Sequence, residues 1–322
     1  MHTERNANAF MLILIVYAFA ASFLLGLILL FFGTPPTSTL LVLVQLFTFG
    51  VPCVAMLILK RAAWREMFPL RRIGGANILF VVSLMLLAQP FMMFLSGLSM
   101  LLFNNEIAAT VEGMASESGL LVTLLVVGVV PSVLEEATFR GIILSGYRHA
   151  SPLVAALVNG LFFGIIHLDP QQFLYAFAMG AVFASMVYYT RSLLSGMLAH
   201  ATVNCTQVIL SHFSAQAAEA EVMPEGLSPL MQSVMEWMLA NQVLYSMLVM
   251  LLFSLFTIPV FVLLFRLFKR HNERRNALLP IAADAPPEDE PSARKPFNWM
   301  LWSIVGIYIV YVMVTFVFTR LA

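Results

Sequence analysis

Long apolar runs alternate with short polar interruptions along the chain. The runs fall at 9–32, 39–59, 77–103, 120–147, 152–168, 173–189, 193–213, 243–268 and 297–318. Each approaches the roughly 20 apolar residues that a helix needs to cross a bilayer. Inside hydrocarbon, backbone polar groups must be satisfied within the segment or in a closed barrel. The pattern therefore predicts an all-α fold, a polytopic membrane bundle. An eight-span core is expected, with a ninth span at the C-terminus. The first run is longer than the core of a signal peptide and no clear cleavage site follows it, so it is expected to stay as a span.

The interruptions carry their own pattern. If the N-terminus is cytoplasmic, every Lys and Arg except Arg320 lies toward the inner side, from Arg5 through the 60–72 and 266–295 clusters. The segments 104–119 and 214–242 carry Glu but no Lys or Arg. Positive residues mark cytoplasmic loops, so the expected topology is N-in and C-out. Two interruptions have a character of their own. In Leu227–Leu239 apolar residues recur at helical spacing behind Ser228 and Pro229, a good N-cap and first-turn pair. This predicts a short amphipathic helix at the outer interface. The stretch 272–296, containing "ADAPPEDEPSARK", has the composition of a flexible linker. The expected layout is thus a membrane bundle over 1–271, a cytoplasmic linker over 272–296 and an additional helix over 297–322.

Composition agrees with a membrane protein. The 322 residues are 61% hydrophobic and 11% charged, against about 25% charged in soluble domains. Mean hydropathy is +0.90. The net charge of zero gives no argument for a nucleic-acid partner. Cys53 and Cys205 both lie in apolar runs and offer no disulfide framework.

Against this background, polar residues inside the runs stand out, because ionisable groups within a membrane are costly and mark function by default. The fourth run holds Glu135, Glu136 and Arg140; the fifth, Asn159 and His167; the seventh, His200 and Asn204. His212 falls near the interface. Glu136 and Arg140 are four residues apart, the favourable order for a helix ion pair. Glu135 points about 100° away around the helix, so it remains the carboxylate available to act as a base. The fourth and fifth runs turn near Ala150. Glu135 lies 15 residues before that point and His167 lies 17 after it, which places them at similar depth. Asn159, Phe163 and His167 form a stripe, Gly160 and Gly164 form a GxxxG pair for close helix approach, and His200 and Asn204 share a face. One cavity holding Glu135, His167, His200 and Asn204 is expected, opening from the cytoplasm or the inner leaflet.

Three motifs in order, "EEATFR", "FGIIH" (Phe163–His167) and "HATVN" (His200–Asn204), resemble the family of CAAX proteases and bacteriocin-processing enzymes, which are intramembrane glutamic endopeptidases. The resemblance covers about 120–210. It implies that Glu135 activates water, that His167 helps hold it, that Glu136 and Arg140 support the site, and that His200 and Asn204 stabilise the oxyanion. Phe163 would shape the pocket. The implied substrate is a membrane-associated peptide or protein, with the lipid bilayer as the other partner, and the expected location is a bacterial plasma membrane. No cofactor is expected. Zinc held by Glu135, His167 and His200 is the alternative, although there is no HExxH and no run offers two His one turn apart. A proton-coupled transporter and a non-catalytic immunity scaffold are the remaining function classes.

Overall fold

The computed structural model describes residues 3–61, 64–219, 228–277 and 296–321. Within them the secondary structure is helical. The principal helices are α1 (Glu4–Phe32), α2 (Thr37–Leu59), α3 (Gly75–Met100), α4 (Glu106–Ser118), α5 (Leu120–Gly146), α6 (Pro152–Ile166), α7 (Pro170–Thr190), α8 (Leu193–Glu219), α9 (Pro229–Ala240), α10 (Gln242–Ala277) and α11 (Trp299–Leu321). Among the described residues, eight of these are long and apolar enough to cross a membrane: α1, α2, α3, α5, α7, α8, α10 and α11. The chain is a multi-pass integral membrane protein.

The sequence pattern predicts one span more. The difference lies in α6, which forms where expected but has only 15 residues. At about 1.5 Å per residue it is shorter than the roughly 30 Å hydrocarbon layer. Its ends are set locally. Ser151 caps the start by accepting from the Val154 amide, with Pro152 in the first turn. Leu168 takes a left-handed φ of 48° just past the end, and the Asp169 carboxylate caps α7 by accepting from the Gln171 amide. The two helices thus return on each other as a tight hairpin.

Glycines make that hairpin close. A Cβ on Gly160 would stand 2.5 Å from the Phe177 carbonyl oxygen, and one on Gly180 would stand 2.8 Å from the Gly160 Cα. The GxxxG pair in α6 therefore packs onto α7. This contact brings the Gly180 carbonyl within reach of α5.

The polar connections sort into two ends. At the basic end, Arg148 pairs with Glu66 at 3.0 Å, Arg275 donates to the Arg72 carbonyl, the Leu193 amide donates to the Pro69 carbonyl, and Asn8 donates to the Pro296 carbonyl. The opposite end gathers the α1–α2 connection, α4 and the first turns of α10. There Ser118 reaches Ser38.

Two stretches differ in detail from the sequence expectation. α10 continues through Ala277 because Asn272, where the linker was expected to begin, is buried and exchanges hydrogen bonds with Asn77 of α3. The core of the expected linker, 278–295, lies outside the described residues. α11 docks on α1 and on the α6–α7 turn: Leu301, Ile304 and Tyr308 are buried in the main core. The Tyr308 ring stacks on Phe173 at 5.0 Å, and the Tyr311 hydroxyl donates to the Leu168 carbonyl. The amphipathic helix α9 forms behind its Ser228 cap, which accepts from the Met231 amide.

Candidate active site

α5 is the helix that carries the charges, and it is not regular. It contains two π-helical stretches, Leu124–Val129 and Ala137–Ile143, on either side of the Glu135–Glu136 pair. α2 has another, at Leu46–Gly50, beginning directly after Gln45. Such insertions redirect side chains and are frequent at functional sites. In this bundle they aim side chains from α2 and α5 at a common point.

Glu136 and Arg140 form the ion pair expected from their spacing, Oε1 to Nη1 at 2.7 Å, with both side chains fully buried. A buried charge that loses its partner is heavily penalised, and this one has several supports. Arg140 Nη2 donates to the Gly180 carbonyl at 2.9 Å. The guanidinium lies 4.4 Å from the Phe163 ring centroid and 5.2 Å from that of Phe183, within cation–π range. Asn159 donates to the Phe139 carbonyl at 2.9 Å, an interhelical bond between α6 and the π-helical part of α5.

His200 joins the two glutamates. Its Nδ1 lies 3.1 Å from Glu136 Oε1 and its Nε2 lies 4.0 Å from Glu135 Oε2. Because Glu136 Oε1 is ion-paired with Arg140, it acts as an acceptor and Nδ1 donates. Nε2 then donates into the cavity only when the ring carries hydrogens on both nitrogens. In that form two carboxylates, a guanidinium and an imidazolium sum to zero charge. Phe183 stacks on the imidazole at 5.1 Å, and Phe163 meets it edge-on at 5.6 Å.

Glu135 is buried, yet it is held from a direction the sequence did not reveal. Gln45 Nε2 of α2 donates to Glu135 Oε1 at 2.8 Å. Among the described residues Glu135 Oε2 has no hydrogen-bond partner. The only hint in the sequence is that Gln45 is the sole amide side chain in the second apolar run.

His167, just past the end of α6, directs Nδ1 at the Phe163 carbonyl, 2.6 Å away. A carbonyl only accepts, so Nδ1 carries the hydrogen and Nε2 is left as an acceptor in the neutral ring. Asn204 Nδ2 donates one hydrogen to the Val127 carbonyl of the first π stretch at 3.0 Å. An amide has a second N–H.

Glu135, Phe163, His167, His200 and Asn204 all line one cavity of about 730 Å³; Glu136 and Arg140 lie behind its wall. The opening differs from the sequence expectation. Phe163, Phe183 and His200 line its floor, with Arg140 behind them. From there it runs away from the basic end, past Gln207 and Ser211 of α8 and Met92–Met100 of α3, to Asn105–Val111 and Ser246. Equal depth along a hairpin says where two residues meet but not on which side the helices part, so the sequence argument had no hold on this feature.

For zinc, the test is whether the donor set converges. Among the described residues no three His, Cys, Asp or Glu side chains are placed to hold a metal ion. Glu135 Oε1 is taken by Gln45, and the Nδ1 atoms of His200 and His167 face Glu136 and the Phe163 carbonyl, which leaves Glu135 Oε2 and the two Nε2 atoms as the remaining donors.

Comparison with known proteins places the motifs. Residues 117–206 match the family described as type II CAAX prenyl endopeptidase Rce1-like. The motif-bearing segment is thus the part of the chain that is similar to the Rce1-like family. It contains all five cavity-lining candidates, whereas Gln45 lies outside it. A protein of Bacillus subtilis (strain 168) described as "Putative membrane peptidase YdiL" is 29% identical over 132 residues, 36% of this chain and 54% of that relative. The chain thus matches about half the length of this curated relative. No solved structure matches the chain.

Proposed function

We propose that the protein is an intramembrane endopeptidase that hydrolyses a peptide bond of a membrane-associated peptide or protein, with water activated by Glu135. One observation carries the reading: a buried carboxylate at the wall of a large cavity, with one oxygen held by Gln45 and the other without a hydrogen-bond partner among the described residues. The Rce1-like match over 117–206 supports the endopeptidase part of this reading. A bacterial plasma membrane is the proposed location.

The steps follow from the hydrogen-bonding capacities. Water donates one hydrogen to Glu135 Oε2 and the other to His167 Nε2. As its oxygen bonds to the peptide carbon, Glu135 takes the proton and the carbonyl electron pair moves onto oxygen. The oxyanion accepts from the second N–H of Asn204 and from His200 Nε2–H. Donors of this kind contribute roughly 3–4 kcal/mol each in other hydrolases. Glu135 then passes its proton to the amide nitrogen as the C–N bond breaks, and the site returns to its starting state. Glu136 and Arg140 act behind His200, fixing the ring.

The test is cleavage by the purified protein in detergent, read by mass spectrometry on a library of membrane-associated peptides. Internal cleavage that persists in chelator is expected. Cleavage abolished by chelator and restored by zinc would overturn the metal-free mechanism, and no cleavage of any member would overturn the peptidase reading.

A further inference from the structure

The cavity has a direction, and the charges of the chain give that direction a side. The floor of the cavity lies partway along the helices, and from it the lining on α2, α3, α8 and α10 continues toward the ends remote from the basic clusters. On α8, the floor residue His200 is seven residues from Leu193, and the lining continues to Ser211. On α10 the lining residues are Ser246 and Met250, close to the start of a helix whose far end carries Lys269, Arg270, Arg274 and Arg275. On α2 they are Leu41–Phe49, remote from Lys60 and Arg61. The floor is backed on the basic side by the fully buried Phe139, Arg140 and Phe162.

Lys and Arg collect on the cytoplasmic side of membrane proteins. The basic end is therefore the cytoplasmic end, and the cavity runs toward the opposite face. That face carries exposed Glu112, Glu117 and Glu236, and among its described side chains there is no Lys or Arg.

The lining chemistry narrows what can enter. Among the described residues no Lys, Arg or Asp lines the cavity, and the ionisable side chains that do are Glu135, Tyr175 and the two histidines. The walls alternate methionines, among them Met92, Met100 and Met250, with uncharged hydrogen-bonding groups such as Gln172 and Gln207. A free C-terminal carboxylate near the floor would meet Glu135 with no Lys or Arg among the described lining residues to balance it, because Arg140 lies behind the wall, engaged by Glu136 and the Gly180 carbonyl. From His200 to Ser211 is about 16 Å along the helix at 1.5 Å per residue, the reach of about five extended residues.

We propose that the cavity takes an extended, uncharged internal stretch of a polypeptide presented from the non-cytoplasmic face of the membrane. This deepens the peptidase reading and rests on it for the fate of the segment, but not for the side of entry. The substrate class is then the extracytoplasmic part of a membrane or translocated polypeptide, cut at an internal bond rather than next to its C-terminus.

The test separates the two readings. In a Cys53→Ser/Cys205→Ala background expressed in a bacterial plasma membrane, Thr110→Cys and Ser246→Cys place a thiol at the cavity mouth, and Lys60→Cys places one at the basic end. A membrane-impermeant maleimide is applied to intact spheroplasts and to inverted vesicles. The expected result is that Thr110→Cys and Ser246→Cys label in spheroplasts, and that Lys60→Cys labels only in inverted vesicles. The reverse pattern, or labelling of the mouth thiols from both sides, would overturn the proposal. Cleavage is read separately in detergent, comparing an amidated with a free-acid peptide of one sequence. Equal cleavage of the two is expected, and a requirement for the free carboxylate would overturn the internal-bond part. Outside labelling with no cleavage of any peptide would overturn the peptidase reading and leave the side of entry intact.

Discussion

His200 and Glu136 face each other at 3.1 Å, through the same carboxylate oxygen that Arg140 engages at 2.7 Å. The glutamate that first reads as half of a helix ion pair is therefore also the anchor of a histidine on another helix. It couples α5 to α8, and its loss should be felt in stability and in activity.

Glu136→Gln leaves Arg140 buried without a counter-charge. Breaking a buried pair in this way costs roughly 3–5 kcal/mol. The thermal midpoint of the detergent-solubilised protein should fall well below that of the parent, and cleavage should fall with it. An unchanged midpoint would mean that Arg140 finds another partner. The double variant Glu136→Gln/Arg140→Met removes both charges and should recover part of the midpoint without recovering full activity.

Gln45→Leu removes the hydrogen bond to Glu135 Oε1 while keeping a side chain of similar bulk. Hydrogen bonds to charged groups contribute about 1.5–3 kcal/mol, so kcat should fall by about 10- to 100-fold if the bond sets the carboxylate's orientation during reaction. The thermal midpoint should move little, because Gln45 is only half-buried. A rise in KM with kcat unchanged would place Gln45 in substrate binding instead.

Gly196 is the position where an added methyl would do most harm to this cluster. A Cβ there would stand 2.5 Å from Glu136 Oε2 and 2.8 Å from a Val187 methyl. Gly196→Ala should push the Glu136 carboxylate off its partners and lower both midpoint and cleavage rate. Gly306→Ala is the matched control, since nothing lies within 4 Å of its Cβ. It should keep full activity, with stability unchanged or raised by up to about 1 kcal/mol from better helix propensity.

Much of this architecture is legible in the sequence because it depends on local spacing. The i, i+4 placement of Glu136 and Arg140 gives their pairing, and the glycines at 160 and 164 give the tight α6–α7 contact. The apolar runs give nearly every helix boundary. What depends on how distant helices dock is not legible. Gln45 is 90 residues from Glu135, and no periodicity connects them. The link from His200 to Glu136 requires knowing which carboxylate α8 faces. The shortness of α6 was hidden because His167 and Leu168 extend the apolar run past the point where the backbone leaves the helix. The cavity's direction follows from the closed aromatic floor, which no single helix encodes.

The most direct test of the central claim is the cleavage rate of Glu135→Gln, a change that preserves shape and keeps an oxygen able to accept from Gln45. Loss of a general base costs typically 10²–10⁴-fold. The account predicts a kcat reduced by about that factor, with a folded protein, an unchanged thermal midpoint within about 1 kcal/mol of stability, and retained substrate binding. A Glu135→Gln variant that cleaves at the parental rate would contradict it.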